Sequence, residues 1–129
     1  MARLACLAVV LCAALAGCGG DEDEAAAPVP QPAGGNALSV VVTGAASQPI
    51  RMALRCGGTC DRKAVREAIA PRDATVACTQ QYGGPERAKV SGTFDGKPVD
   101  VVITREDGCG IAAYGTLFAA FGRQPPVAG

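Results

Sequence analysis

Apolar and polar positions alternate with a period of two in several stretches of this chain, and in one they follow a helical period. In residues 38–43 the apolar side is Leu38, Val40 and Val42; in residues 50–56 it is Ile50, Met52, Leu54 and Cys56, with Arg51 and Arg55 opposite. Strict alternation marks half-buried strands. The connection over residues 44–49 predicts that these two pair antiparallel. The clearest local pattern is a pair of alternating runs, 88–94 and 97–105, around Asp95-Gly96. Asp-Gly tolerates the positive φ angles of a type I′ turn, whose twist suits a hairpin. Val90 and Phe94 on one arm and Val99, Val101 and Ile103 on the other would form its inward face.

Between these pairs, Asp61 stands at a helix N-cap position, and Ala64, Val65, Ala68 and Ile69 recur at helical spacing. Arg62, Lys63, Arg66 and Glu67 take the wet side, and Pro71 forbids continuation. The helix is expected to cover one face of the sheet. Residues 111–121 are apolar throughout and fit either a short helix or a last strand. Residues 124–129, with Pro125-Pro126, are expected to form a disordered tail.

The amino-terminal pattern is of another kind. Arg3 precedes an apolar run over residues 4–15, shorter than the roughly 20 residues a bilayer span needs. The run ends in Leu15-Ala16-Gly17-Cys18. This tetrapeptide resembles the lipobox of bacterial lipoproteins, which implies a signal peptide over residues 1–17, cleavage before Cys18 and a diacylglyceryl group on its sulfur. Two acyl chains suffice for stable anchoring. The expected location is the extracytoplasmic face of the cell membrane. Residues 18–35 then form a tether: the acidic run Asp21-Glu22-Asp23-Glu24 and the alternating Pro28, Pro30 and Pro32 cannot bury a core.

Residues 36–123 leave room for one small domain, whose core is limited by its size. Of the seven cysteines, Cys6 and Cys12 leave with the signal and Cys18 carries lipid, so Cys56, Cys60, Cys78 and Cys109 remain. In an exported chain such a set reads as two disulfides, typically worth about 2–4 kcal/mol each. The spacing matches no zinc ribbon, and no metal or other cofactor is expected. Gly57-Gly58-Thr59 would let Cys56 reach Cys60, but four cysteines allow three pairings.

The chain contains no histidine, which removes Ser-His and Cys-His nucleophilic machinery. The carboxylates sit in turn or surface contexts such as Asp95-Gly96 and Glu106-Asp107, so the chain is read as a non-enzyme. Acidic and basic residues balance over the whole chain. The mild basic excess left after setting aside Arg3 and the acidic run is too scattered to predict nucleic-acid binding.

Several motifs now fall in a suggestive order: Leu54-Arg55-Cys56, Cys60-Asp61, Cys78-Thr79-Gln80-Gln81-Tyr82 followed by Pro85, Val90-Ser91-Gly92-Thr93-Phe94-Asp95-Gly96-Lys97, and Cys109. Together they resemble the subtilisin inhibitor-like family of secreted actinobacterial proteins. The resemblance implies an α+β fold, a five-stranded antiparallel sheet with one or two short helices packed on one face, and two disulfides, Cys56 with Cys60 and Cys78 with Cys109. It further implies a serine protease inhibitor whose reactive-site loop is Thr79, Gln80, Gln81 and Tyr82, with Gln80-Gln81 as the reactive bond. Family members often pair through the sheet face, which leaves room for a homodimer. Arg105-Glu106-Asp107-Gly108-Cys109 stands where the family carries Phe-x-Asn-x-Cys, so Asp107 is expected to replace in part the asparagine that braces the loop. Gly83-Gly84 is expected to add backbone freedom beside the loop.

The expected function is therefore that of a lipid-anchored inhibitor of an extracytoplasmic serine protease. The alternative is a non-inhibitory envelope protein-binding module on the same scaffold.

Overall fold

The computed structural model describes residues 35–129; the expected signal peptide, Cys18 and all of the expected tether except Gly35 lie outside them. The alternating stretches form β1 (Ala37–Thr43), β2 (Ile50–Arg55), β3 (Arg87–Phe94) and β4 (Lys97–Thr104). All neighbours are antiparallel, in the order β2-β1-β3-β4. The register sets Leu38 beside Leu54, Val40 between Met52 and Val90, and Val42 between Ile50 and Ala88, so the apolar side of each strand falls on one sheet face. Asp95 and Gly96 both have positive φ, as the hairpin pattern predicts.

Two helices cover that face: α1 (Arg62–Ile69) and α2 (Gly108–Ala120). The Asp61 carboxylate accepts the Ala64 N–H and starts α1. Val65 and Ala68 point inward, and the backbone leaves helical geometry at Ala70, before Pro71. Asp61 N–H also donates to the Ala120 carbonyl, joining the start of α1 to the end of α2.

The expectation of five strands is corrected by α2. Residues 111–121 lack alternation, and their large side chains Tyr114, Leu117 and Phe118 recur at helical spacing on one buried stripe. Both ends of this helix are closed: Asp107 caps its start, and at its end Gly122 N–H donates to Ala119 and Arg123 N–H to Phe118. That pair of bonds around a left-handed glycine is a Schellman stop. The described residues thus hold four strands and two helices.

The core joins Leu38, Val40, Val42, Leu54, Val90 and Phe94 of the sheet to Val65 of α1 and Leu117 and Phe118 of α2. On the other face Arg51, Arg55, Lys89 and Val102 are exposed, and among the described residues no helix lies over them. The Ser39 hydroxyl, on that side of β1, is buried without a hydrogen-bond partner.

Two disulfides join Cys56 to Cys60 and Cys78 to Cys109. The first closes the connection from β2 to α1. The second ties the irregular segment after α1 to the first turn of α2. None of the described helices is long and apolar enough to cross a membrane.

Phe118 is fully buried where helices and sheet meet. Phe118→Ala should destabilise by about 3–5 kcal/mol in urea denaturation, whereas Val102→Ala on the open face should cost less than about 0.5 kcal/mol.

Candidate functional site

The residues singled out in the sequence, Thr79, Gln80, Gln81 and Tyr82, lie in the connection from α1 to β3. Pro71 ends the helix, and the Asp73 carboxylate then accepts both the backbone N–H and the hydroxyl of Thr75 in a side-chain-closed turn. Cys78 follows and is bonded to Cys109. From there the chain is held at two backbone points. The Thr79 carbonyl accepts the Gly108 N–H at 3.0 Å, and the Gly83 N–H donates to the Arg105 carbonyl at 2.8 Å. Between these clamps Gln80, Gln81 and Tyr82 are exposed, Tyr82 by 65%.

Both clamps fall on residues 105–108, the connection from β4 to α2 and the first residue of that helix. Gly108 suits this approach, because a Cβ would overlap the Thr79 hydroxyl and sit 3.2 Å from the Thr79 Cβ, so that side chain would have to turn. Gly83-Gly84 likewise serves close approach. A Cβ on Gly83 would come within 2.5 Å of Ile111, and Gly84, at φ +139°, leaves the space taken by the Glu86 carboxylate. Both positions of the pair are closely bounded: Gly83 is bonded to Arg105 and lies against Ile111 of α2, and Gly84 lies against Glu86.

Asp107 does not touch the loop directly. One carboxylate oxygen accepts the Gly110 N–H at 2.7 Å and the other accepts from Arg72 at 2.6 Å. The Gly110 bond, then Arg72, hold the carboxyl below the usual aspartate range. Its effect on Thr79 passes through the helix cap, which fixes the residue, Gly108, that binds the Thr79 carbonyl. Asp107 also lies near Cys78 and Cys109, with donor atoms within 4.8 Å of one another. Both sulfurs belong to the disulfide, so this group offers no thiolate to a metal.

Behind the loop lies a charged group that pattern reading does not single out. Glu86 is 2% exposed and accepts from Arg105 at 2.7 Å and from the Ala128 N–H at 2.6 Å. The Arg105 guanidinium stands 5.6 Å from the Tyr114 ring centre, and the Tyr114 hydroxyl donates to the Pro126 carbonyl at 2.6 Å. The tail expected to be disordered is thus tied to the body twice. The signal was present: Glu86 continues the inward alternation of Ala88 and Val90, and Arg105 that of Val101 and Ile103. Opposite charges at adjoining inward positions of paired strands predict a buried ion pair.

Burial opposes the charge on Glu86, but the N–H groups of Ala128 and of Glu86 itself, and then Arg105, outweigh it and hold the carboxyl below the usual glutamate range. Burial, aided by the Glu86 charge and partly offset by Arg105, pushes the Tyr114 hydroxyl up to about 12. At the opposite end of the sheet, Asp95 is held down by Arg62, then Arg66.

A carboxyl with a lowered pKa in the folded protein stabilises it above its unfolded pKa and loses that contribution as pH falls through the folded value. Stability should therefore be flat from neutral pH down to about pH 5 and fall below about pH 4. Urea midpoints across this range test it, and Glu86→Gln should flatten part of the acid limb.

Comparison of the chain with protein-family models, with curated proteins and with solved structures finds no match.

Proposed function

We propose that this protein is a lipid-anchored, extracytoplasmic inhibitor of a serine protease, with Gln80-Gln81 as the bond it offers. The observation that carries the reading is the double clamp: Thr79 and Gly83 are bonded to one short connection, Cys78 is covalently joined to Cys109, and the side chains between the clamps face solvent. A protease serine attacking the Gln80 carbonyl would form an acyl-enzyme and free the Gln81 amine. Because both halves of the cut loop stay fastened to residues 105–109, that amine remains beside the acyl group. The amine can re-form the peptide bond and return the serine hydroxyl. Prior ordering also lowers the entropic cost of binding.

The position of the loop relative to the tether supports the same reading. The chain enters β1 at Ala37, beside the hairpin turn and Cys56, where Asn36 accepts the Asp95 N–H through its side chain and the Cys56 N–H through its carbonyl. The loop lies by Arg105, just past Thr104 of β4, whose neighbour in register is Arg87, opposite Thr43 of β1. At ~3.3 Å per residue, β1 separates the two ends by about 20 Å. A domain held by lipid on Cys18 would therefore carry residues 79–82 at the end away from its tether.

Glutamine fits neither the basic-selective nor the apolar-selective protease pocket well. Gln80→Lys should therefore create trypsin inhibition, tightening binding by about 100-fold over the unaltered protein in a steady-state assay. If Gln80→Lys inhibits no trypsin and the unaltered protein slows no serine protease at micromolar concentration, the reading is wrong. A captured partner whose binding survives Gln80→Ala and Gln81→Ala would instead mark a binding module that works through another surface. For the anchor, mass spectrometry of the membrane-fraction protein should find a chain that begins at Cys18 and carries a diacylglyceryl group, and Cys18→Ser should abolish both the lipid and the cleavage.

A further inference from the structure

We propose that residues 124–129 act as a strap that holds the exposed loop rigid from behind, with Glu86 and Tyr114 as the positioning residues that fasten it. The proposal rests on the reading of residues 79–82 as the presented loop, and it assigns a role to the tail and to the buried ion pair.

The argument follows a single path of bonds. Arg105 is shared: its carbonyl accepts the Gly83 N–H that ends the loop, while its guanidinium donates to Glu86. The position of that guanidinium depends on the carboxylate below it and the Tyr114 ring beside it. The tail fastens to both of these groups, since Ala128 N–H donates to the second oxygen of Glu86 and the Pro126 carbonyl accepts from Tyr114. Glu86 and Tyr114 are almost fully buried, so neither bond is an incidental surface contact. Without the tail, Glu86 would keep Arg105 but leave its other oxygen without the Ala128 donor, and Tyr114 would lose its acceptor. A buried group deprived of its partner moves toward water. The Glu86 carboxylate already fills the space beside Gly84 and holds Arg105, so a shift of Glu86 would be passed both to the backbone next to Gly83 and to Arg105. Pro125-Pro126 restricts the strap before it docks, so little chain entropy is lost on fastening.

The experiment uses the mature chain with Cys18→Ser and reads amide exchange residue by residue by NMR. Two variants remove the strap in different ways. One is truncated after Arg123; the other, Ala128→Pro, replaces the donor N–H to Glu86 with a ring carbon and so breaks that one fastening while keeping the rest of the tail. Both should raise exchange at Gly83 by about tenfold or more while the amides of Val40 and Val90 in the central strands change much less. Unchanged protection at Gly83 in both variants overturns the proposal. So does a loss of protection at Gly83 no greater than at Val40 and Val90, because that describes general destabilisation.

A second arm places both changes in the Gln80→Lys background with trypsin. Loss of the strap should speed hydrolysis of the 80–81 bond and weaken inhibition by about tenfold. If full-length Gln80→Lys neither inhibits nor is cut there, the inhibitor reading fails while the exchange result still decides the strap.

Discussion

The connection from β4 to α2 is the constraint on which the rest of the site depends. Within residues 105–109 the chain gives its Arg105 carbonyl to Gly83, starts a helix with Asp107, gives its Gly108 N–H to Thr79 and bonds Cys109 to Cys78. A segment with no regular structure of its own thereby inherits the order of a strand end and a helix start. The disulfide contributes about 2–4 kcal/mol through the unfolded chain. The two backbone bonds decide where the loop sits. A domain of this size, with a single apolar layer between helices and sheet, has little further burial with which to hold an exposed segment.

Charge is used at both ends of the sheet to close what the apolar core leaves open. At the end where the chain enters β1, Asp95 occupies a positive-φ turn position and grips Arg62 and Arg66 of α1. At the loop end, Glu86 and Arg105 extend the inward faces of β3 and β4 past the last apolar residues. The first group is largely in water, where ion pairs contribute little individually. The second is buried and must be satisfied. A buried carboxylate with one cation is still short of partners, and the Ala128 N–H supplies the missing one.

What could be read in the sequence divides along physical lines. The four strands, the Asp95-Gly96 hairpin and the helix opened by Asp61 were legible because each is specified by local period, turn chemistry and capping. Residues 111–121 were not, since an apolar run without alternation fits a helix or a buried strand. The features that decide it are Asp107 before the run and Gly122 after it, both visible as cap signals once they are sought. The count of five strands came from the resemblance alone. Thr79, Gln80, Gln81 and Tyr82 were also named through the resemblance, and nothing in their own chemistry would have selected them. Glu86 with Arg105 was the reverse case, inferable from alternation yet obscured by the ordinary expectation that charges face water.

Gly83-Gly84 shows how a composition rule and a packing rule can give opposite answers. Glycine widens the conformations open to an unfolded chain, and beside a loop that must be stiff it reads as a weakness. In the folded chain the same absence of a side chain lets Gly83 lie against Ile111 and leaves the Glu86 carboxylate its place beside Gly84. The closeness permitted by the missing Cβ atoms lets the loop bond to Arg105 and share its ion pair. In the folded chain each of the two positions is bounded by a neighbour, Gly83 by Ile111 and Gly84 by Glu86. The two hydrogen bonds that bracket residues 80–82 therefore go with a close backbone approach, beside a buried charged group, that side chains at these glycines would obstruct.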